Sequence, residues 1–238
     1  RAGIPAWKIE VVYNFVDTEK FARVELSNYN HLEKNTWGIK PDDFVVGFAG
    51  RLVERKGWRE FVKIAKRFKS EGIAGQPGRR IKFLMAGIGP DAENMKKLIN
   101  NYSLNDSVTY VGYITNMKSF YALLNCLVIP SYWEGHPITQ LESLALGIPL
   151  VCSNGPGLTE VATDNSDVLY VESGEIEMFY DKICLVASDS ELRDKLSSMG
   201  IATARSFNLP VFTASLNQVH QHSSLIKRFR RKTIDIVT

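Results

Sequence analysis

From Pro41 onward the chain alternates between short apolar runs and longer amphipathic segments. The apolar runs are four to seven residues long. They read VVGFAG (45–50), IKFLMAG (81–87), VTYVG (108–112), CLVIP (126–130), PLVCS (149–153) and VLYV (168–171). Continuous apolar runs of this length are typical of strands that are buried on both faces of a parallel sheet. We therefore predict six strands.

The segments between these runs carry apolar residues at helical spacing. The first helical face consists of Trp58, Phe61, Val62, Ala65 and Phe68. Further helices are predicted at about 91–101, 116–124, 176–183 and 192–199. Asn208 and Pro210 predict the N-cap and first turn of a last helix. Strands joined by helices predict an α/β fold, a doubly wound, Rossmann-like parallel sheet of about six strands with right-handed crossovers.

Residues 1–40 do not show this alternation clearly. They hold one strand-like apolar run, from Ile9 to Phe15, and a mixed polar helix candidate. We divide the chain into a leading segment (1–40), a Rossmann-like domain (41–205) and a C-terminal helix with a basic tail (206–238). Because the chain begins without Met and without the features of a secretory signal, we expect it to be a fragment of a longer protein.

Composition narrows the class of protein only slightly. The 238 residues are 45% hydrophobic and 23% charged, as in ordinary globular proteins, and they contain no apolar run of about 18 residues that would span a membrane. The net charge of +3 is too small to indicate a nucleic-acid partner. Three cysteines at wide spacings in apolar contexts predict reduced, buried thiols of a cytoplasmic protein rather than a metal site.

The stretch SYWEGHPITQLESLALGIPLV (131–151) carries the most distinctive chemistry. Its two carboxylates, Glu134 and Glu142, lie eight positions apart across a turn that enters a helix. Glu134 precedes the helix, where a side chain can face a cleft. Glu142 lies in the early turns, beside N–H groups that lack intrahelical partners and attract anions such as phosphate. A carboxylate among such donors can accept hydrogen bonds from a diol, so we predict a ligand site here.

Glycine-rich turns follow several of the predicted strands. GRLVERKG (50–57) places Arg51 and Lys56 at the end of the first strand, where they either clamp a diphosphate or remain as solvated cations. GIGPDA (87–92) matches the dinucleotide-binding pattern, but the next strand ends in Gly112 and Tyr113 instead of the acidic residue that a dehydrogenase needs. SNGPGLTEV (153–161) is predicted to enter a helix and to offer its amides and a carboxylate, with a plain turn as the alternative.

Together, GRLVERKG, EGHPITQLESLALGIPLV and GPGLTEV resemble the donor-binding half of a family 4 (group 1) retaining glycosyltransferase of the GT-B fold. The resemblance runs from about Val11 to about Leu216. Its most specific part is the Glu-x7-Glu motif, followed by a small-residue helix and G-x-P. YNFVDTEKF (13–21) also resembles the family's passage from the interdomain linker, where Gly often stands in place of Phe15.

The resemblance implies a role for each motif. Arg51 and Lys56 would bind the donor diphosphate, Glu142 would hold the ribose hydroxyls, and Glu134 would face the transferred sugar. The backbone from Gly135 to Gln140 would contact sugar and phosphate, through Gly135, His136, Pro137, Ile138, Thr139 and Gln140. The backbone also approaches the ligand at Gly50, and the turn that borders the base comprises Gly112, Tyr113 and Ile114.

Physical chemistry fits these roles independently. Fixed cations and a helix N-terminus stabilise a leaving diphosphate without reorganising, and a nearby carboxylate accommodates an oxocarbenium-like sugar. A hydrolase is the alternative for paired carboxylates, but Glu142 within the helix start suits a ribose better than a water. His136 and Pro137 replace the Phe-Gly pair common in the family, which leaves the donor sugar open. We favour a packing or pocket-shaping role for His136.

The resemblance thus implies that residues 41–205 bind a UDP-, GDP- or ADP-sugar without a metal, for transfer of a hexosyl-type sugar to a polysaccharide or lipid-linked acceptor. Such activity would serve surface-glycan biosynthesis. The acceptor site, often with a catalytic His, would lie on an N-terminal domain, so we expect the chain alone to transfer nothing. The alternatives are a nucleotide-sugar epimerase of similar architecture and a non-catalytic nucleotide-binding module.

The C-terminal tail carries the cations Lys227, Arg228, Arg230, Arg231 and Lys232. Such a cluster can rest on anionic lipid headgroups, with about 1 kcal/mol gained per cation near the surface. That would place the protein peripherally at the inner face of a membrane and would suit a lipid-linked acceptor. The alternative is a solvated terminus.

Overall fold

A computed structural model of the chain describes residues 3, 5, 8–21 and 32–234, with side chains described to residue 221 and not at residues 32 and 33. The strands are β1 Phe44–Ala49, β2 Ile81–Ala86, β3 Val108–Gly112, β4 Cys126–Ile129, β5 Leu150–Ser153 and β6 Leu169–Val171. The helices are α1 Leu32–Thr36, α2 Trp58–Glu71, α3 Ala92–Asn101, α4 Met117–Tyr121, α5 Ile138–Ala145, α6 Ile176–Ser188, α7 Ser190–Ala204 and α8 Leu209–Ile234. Glu54–Lys56 and Arg205–Phe207 form short 3₁₀ turns.

The strands form one parallel sheet in the order β3-β2-β1-β4-β5-β6. β1 and β2 are in full register, from the Phe44–Ile81 pair to the Ala49–Ala86 pair, so their carboxyl ends lie at the same level. The chain winds outward from β1 in one direction through β2 and β3, and then in the other through β4, β5 and β6. The strand order therefore reverses between β1 and β4, and this opens a crevice at their carboxyl ends. The predicted doubly wound α/β fold is confirmed.

Two hydrophobic layers sandwich the sheet because alternate residues of each strand point to opposite faces. Phe44, Val46 and Phe48 of β1 belong to the layer that contains the apolar faces of α2, α3 and α6. Val45, on the other face, belongs to the layer that contains Leu141 of α5 and residues of α4. Five of the six strands are largely buried, as their continuous apolar runs predict, whereas the edge strand β3 is buried only at Val108.

Helix α2 shows how local sequence fixes the position of a loop. Gly57 precedes the helix with φ at +72°, a left-handed conformation, and a Cβ there would lie 2.0 Å from the carbonyl oxygen of Pro130. Glycine is therefore required for the start of α2 to approach the end of β4. The apolar face predicted from the sequence, including Trp58 and Phe61, is fully buried.

Three predicted elements differ from the structure. Residues Ile9 to Phe15 form no strand, because they lie beside the C-terminal segment instead of a sheet edge; the Phe15 ring packs on Phe212 at 4.9 Å. The helix predicted at 116–124 ends at Tyr121, after which tighter turns lead the chain into β4. SNGPGLTEV forms successive turns and no helix, because Gly155 and Gly157 press against backbone carbonyl groups of the neighbouring loop.

The predictions for the cysteines and for the last helix's N-cap are confirmed. Cys126, Cys152 and Cys184 are buried free thiols. Asn208 caps α8, since its Oδ1 accepts the N–H of Val211 at 2.9 Å. The basic tail lies on α8, but its side chains fall outside the described residues, so its contact with lipid stays a prediction. Among the described helices, none is both long and apolar enough to cross a membrane.

Candidate functional site: a cleft at the carboxyl edge of the sheet

The main cleft lies at the crevice between β1 and β4 and has a volume of about 1030 Å³. The loops that follow β1, β2 and β3 form three of its walls, and the start of α5 forms the fourth. It is lined by Ala49, Gly50, Arg51, Ala86, Gly87, Ile88, Gly89, Pro90, Tyr113, Ile114, Thr115, Met117, Thr139 and Glu142. The glycine turns that follow the first three strands thus meet at one edge, as the predicted topology requires.

The loops after β1 and β2 are bound tightly to each other. Gly50 donates its N–H to Ala86 O at 3.0 Å, and Leu52 donates to Ile88 O at 2.9 Å. A Cβ at Gly87 would lie 1.9 Å from Gly50 O, and one at Gly89 would lie 2.3 Å from Leu52 O. The glycines of GIGPDA therefore serve the close contact of two loops. This accounts for the dinucleotide-like pattern without dinucleotide chemistry.

Arg51 extends from the β1 loop with an exposed side chain and borders both the cleft and a smaller neighbouring pocket. Among the described residues it forms no ion pair with a carboxylate. A cation at the mouth of a cleft, without a carboxylate partner there, is available for an anionic ligand.

Glu142 faces the cleft from α5 and is braced from below by Tyr121 of α4. The Tyr121 hydroxyl donates to Glu142 Oε2 at 2.8 Å, and the tyrosine ring is fully buried. Burial raises the pKa of Glu142, while the Tyr121 hydrogen bond and the positive charge of Lys20 oppose that rise. The carboxylate is thus held in one orientation by a buried donor, with an oxygen left for a ligand.

Glu134 is enclosed by polar partners. Both of its oxygens accept from Lys56 Nζ, at 2.5 and 2.6 Å, and Ser131 Oγ donates at 2.8 Å. The guanidinium of Arg55 approaches to 3.7 Å, and the Glu134 side chain is only 7% exposed. Neither Glu134 nor Lys56 lines the main cleft. The pair lies beside it, at the end of β4, as one hydrogen-bonded unit.

Comparison with known proteins identifies the family. The sequence model of the family described as "Glycosyl transferases group 1" matches residues 30–203. The chain belongs to this family. The resemblance predicted from the Glu-x7-Glu stretch and the GRLVERKG turn is thereby confirmed.

The curated relatives of this chain are glycosyltransferases of glycan assembly by their names. The capsular polysaccharide biosynthesis glycosyltransferase CapM of Staphylococcus aureus is 27% identical over 183 residues, which cover 76% of this chain and 46% of CapM. An Escherichia coli UDP-Gal:alpha-D-GlcNAc-diphosphoundecaprenol alpha-1,3-galactosyltransferase is 29% identical over 189 residues, or 78% of this chain and 46% of the relative. The chain spans about half the length of the curated relatives it matches.

Solved glycosyltransferase structures share the fold. Anabaena HepE in complex with UDP and glucose superposes with a TM-score of 0.78 at 18% identity, covering 94% of this chain and 58% of HepE. The C-terminal domain of the group 1 glycosyltransferase LpcC from Francisella tularensis gives a TM-score of 0.66 at 22% identity. That match covers 82% of this chain and 99% of the LpcC domain. The predicted likeness to one half of a GT-B glycosyltransferase is confirmed.

The predicted donor loop, from Gly135 to Gln140, divides into residues that line the cleft and residues that do not. Thr139 and Glu142 line the cleft, whereas the Ile138 side chain is 51% exposed. Pro137 is the buried N-cap of α5 and Gly135 is exposed outside the cleft lining. Gln140 is fully buried and donates its side-chain amide to a backbone carbonyl at 3.2 Å. Gln140 therefore fixes the helix, and a ligand contact through its side chain is not supported.

His136 packs away from the cleft. Its ring lies 4.8 Å from the Tyr13 ring and 5.2 Å from the Phe207 ring, and its backbone oxygen accepts the side-chain amide of Asn14 at 2.6 Å. Both ring nitrogens are buried and have no hydrogen-bond partner among the described residues. Burial accordingly lowers the pKa of His136, so the neutral form is favoured. This geometry agrees with the packing role favoured from the sequence.

The turn after β3 borders the cleft, and its contact with a base stays a prediction. Gly112 has φ at +73°, and its carbonyl oxygen accepts the Gly87 N–H at 2.7 Å, which joins this turn to the β2 loop. Tyr113 is 69% exposed and lines the cleft with Ile114. An aromatic ring and an aliphatic side chain at the rim offer apolar surface to a planar base.

Sequence reasoning missed several residues that line the cleft and one, Tyr121, that supports it from behind. Tyr121 lies in an apolar helix and reads as core, since nothing local indicates a hydrogen bond to a carboxylate 21 positions away. Thr115 and Met117 follow β3 in a loop without a recognisable pattern, yet both line the cleft. Residues 88–90 of GIGPDA also line the cleft. The glycine pattern indicates a turn there, but it does not indicate that Ile88 and Pro90 face a ligand.

Proposed function

We propose that this chain is the nucleotide-sugar-binding domain of a retaining glycosyltransferase that transfers a hexosyl-type sugar to a polysaccharide or lipid-linked acceptor. One observation carries the proposal. The cleft at the carboxyl edge of the sheet carries a cation, Arg51, on one rim and a carboxylate, Glu142, on the other. The Tyr121 hydroxyl holds this carboxylate in place on α5. A nucleoside diphosphate needs a cation for its phosphates and an acceptor for its ribose hydroxyls.

The donor fits the cleft in one direction. The base lies against Tyr113 and Ile114, the ribose hydroxyls donate to Glu142, and the diphosphate extends toward Arg51 and the first turn of α5. The N–H groups of Ile138 and Thr139 have no acceptor among the described residues, so they are available to phosphate oxygens. The volume of about 1030 Å³ is large enough for a nucleotide sugar.

The leaving diphosphate and the sugar need different groups. The α5 amides are fixed by the helix before the donor binds, so they stabilise the departing diphosphate without reorganisation, and Arg51 adds positive charge at the rim. Glu134 lies at the sugar end, where its negative charge stabilises an oxocarbenium-like sugar. Lys56 positions Glu134 through two short hydrogen bonds and adds positive charge beside the phosphate path. This arrangement gives Lys56 a dual role, since its ammonium group serves both the carboxylate and the diphosphate.

The named relatives indicate which donor to test first. The Escherichia coli relative uses UDP-galactose by its name, and HepE was crystallised with UDP and glucose. We therefore propose a UDP-hexose as the first candidate, with GDP- and ADP-sugars as comparisons. Since the curated relatives are about twice as long as this chain, we also propose that transfer requires an acceptor-side domain outside it. Robust transfer by the chain alone would contradict this second part.

Calorimetric titration tests the donor assignment. UDP, GDP, ADP and their hexose conjugates are titrated into the folded chain, and one nucleotide series should bind at a single site. Glu142→Ala and Lys56→Ala should each weaken nucleotide binding by about 1–3 kcal/mol, or roughly 5- to 150-fold, because each removes a charged hydrogen bond. Glu134→Ala should weaken binding of the nucleotide sugar more than binding of the bare nucleotide.

Glu191 provides a matched control for these titrations. It is an exposed carboxylate in the first turn of α7, an element that contributes nothing to the cleft lining. Glu191→Ala should leave nucleotide affinity unchanged. Unchanged affinity in folded Glu142→Ala and Lys56→Ala would remove the assignment of the cleft to a nucleotide sugar.

A further inference from the structure

A second pocket adjoins the main cleft and is separate from the proposed nucleotide site. Its volume is about 610 Å³, and it is lined by Arg51, Val53, Glu54, Arg55, Tyr132 and Trp133. Arg51 borders both pockets and is the only residue common to the two linings. We propose that this second pocket, the Trp133 pocket, binds a pyranose ring of the acceptor glycan. The inference rests on the proposed function, because it takes the donor sugar to lie near Glu134.

Two large aromatic side chains remain exposed in this pocket. Trp133 is 51% exposed and Tyr132 is 40% exposed, although most of the domain's aromatic rings near the sheet are buried. The Arg55 guanidinium lies over the Trp133 ring at 4.4 Å from its centre. One face of the indole is therefore covered by a cation, and the exposed half of the residue leaves the remaining ring surface open to a ligand.

The backbone that presents these rings is fixed. Tyr132 donates its N–H to Arg55 O at 2.9 Å, and Glu134 donates to Pro156 O at 3.0 Å. A Cβ at Gly155 would lie 2.3 Å from Tyr132 O, so the facing turn also contacts this loop closely. Exposed aromatic rings on an immobilised loop lose little conformational entropy when they bind a ligand. The pocket is accordingly preorganised.

The chemistry of the lining matches a sugar ring. A pyranose has a face of C–H groups that packs on an aromatic ring, and an edge of hydroxyls that both donate and accept hydrogen bonds. Trp133 supplies the apolar face. Arg51 and Arg55 can donate hydrogen bonds to sugar hydroxyls, and Glu54 can accept hydrogen bonds from them. The lining carries charged groups of both signs, so a purely apolar ligand would leave their hydrogen-bonding capacity unused.

The position of the pocket indicates the acceptor and not the donor. Arg55 contacts the carbonyl oxygen of Trp133 at 3.5 Å and the carboxylate of Glu134 at 3.7 Å, so one side chain joins the aromatic loop to the proposed transfer centre. The base, ribose and diphosphate are already placed in the main cleft. A sugar held on Trp133 would present its hydroxyls toward the donor sugar.

The indole N–H resonance of Trp133 provides a direct test. The chain is saturated with UDP and titrated with the methyl glycosides of the common hexoses and N-acetylhexosamines, up to ~100 mM, which would saturate a millimolar site. At least one glycoside should shift the Trp133 signal saturably. The Trp37 indole, which packs near Phe120 outside both pockets, is the internal control and should not move.

Substitutions separate stacking from general effects. Trp133→Ala should weaken glycoside binding by about tenfold, detected through backbone amide shifts of the pocket, while UDP affinity stays unchanged. Trp133→Tyr keeps an aromatic face and should restore most of the glycoside affinity. If UDP binds but no glycoside shifts Trp133 saturably, or if Trp133→Ala binds the glycoside normally, the acceptor pocket is wrong and the donor site stands. If UDP itself does not bind, the proposed function fails. The glycoside titration of the chain without UDP then tests separately whether the Trp133 pocket binds a sugar.

Discussion

Tyr121→Phe is the substitution that examines the candidate site most selectively. It removes one oxygen atom from a fully buried ring and leaves the packing of α4 intact. Glu142 then loses its donor at 2.8 Å. A hydrogen bond to a charged group contributes about 1.5–3 kcal/mol, and because the carboxylate still reaches the cleft, water replaces part of this. We expect nucleotide binding to weaken by about 1–2 kcal/mol, or roughly 5- to 30-fold.

The pH dependence gives the same substitution a second readout. Burial raises the pKa of Glu142, and the Tyr121 hydroxyl opposes that rise, so Tyr121→Phe should raise the pKa further. The folded chain then holds a proton on Glu142 to a higher pH than the unfolded chain does. An acid of this kind loses its contribution to stability as the pH rises from the unfolded pKa through the folded one. Tyr121→Phe should therefore be more destabilised at pH 8 than at pH 5, and its nucleotide affinity should begin to fall at a higher pH on acidification.

Calorimetric titrations of UDP at several pH values, with a Tyr121→Phe and Glu142→Gln double-mutant cycle, measure both effects. Tyr180→Phe is the matched control, because its hydroxyl donates to the Gly72 carbonyl oxygen at 3.2 Å and makes no contact with Glu142. The control should change stability without changing the pH profile of binding. Additive effects in the cycle, or a pH profile in Tyr121→Phe that matches the unsubstituted chain, would refute the positioning role.

Three further substitutions test the stability and geometry of the site. Glu142→Gln should raise the free energy of unfolding at neutral pH, because burial disfavours the charged carboxylate that the substitution removes. The same substitution should weaken nucleotide binding. Unchanged or lower stability in urea melts would count against this. Lys56→Ala should lower the unfolding free energy by about 1–3 kcal/mol, and adding Glu134→Ala should cost about 0.5–3 kcal/mol less than additivity predicts; strict additivity would show that the pair is not coupled. Gly57→Ala should destabilise by roughly 2–5 kcal/mol, since its Cβ would meet a backbone oxygen at 2.0 Å. A loss in thermal melts no larger than the about 1–2 kcal/mol of a left-handed backbone alone would contradict the close-contact argument.

The sheet could be predicted from the sequence because its signal is local. Runs such as IKFLMAG are buried on both faces, and the first three runs end in glycine. Both the strands and the edge where their turns meet therefore follow from periodicity and topology. The same reasoning failed for Ile9 to Phe15. That run is apolar enough for a strand, but a strand also needs a hydrogen-bonding neighbour, and the sequence does not say that the segment lies along Phe212.

The candidate site was predictable only in part, for a related reason. Glu142 and Arg51 could be placed from their positions relative to a helix start and a strand end. The enclosure of Glu134 could not, because it depends on Lys56, which is 78 positions away along the chain and adjacent only after β1 and β4 pair. Tyr121 and the Trp133 pocket arise in the same way, from side chains that the crossovers bring together.

The central claim is that a nucleotide sugar binds at the carboxyl edge of the sheet, between the β1 loop and α5. Backbone amide shifts of the chain on addition of UDP test it most directly. The account predicts that the largest shifts fall in the loops after β1, β2 and β3 and in the first turn of α5. The opposite edge offers a rival pocket of about 210 Å³, lined by residues that include Asn125, Gly147 and Arg193. Shifts concentrated at that edge, or no shifts at saturating nucleotide, would contradict the account.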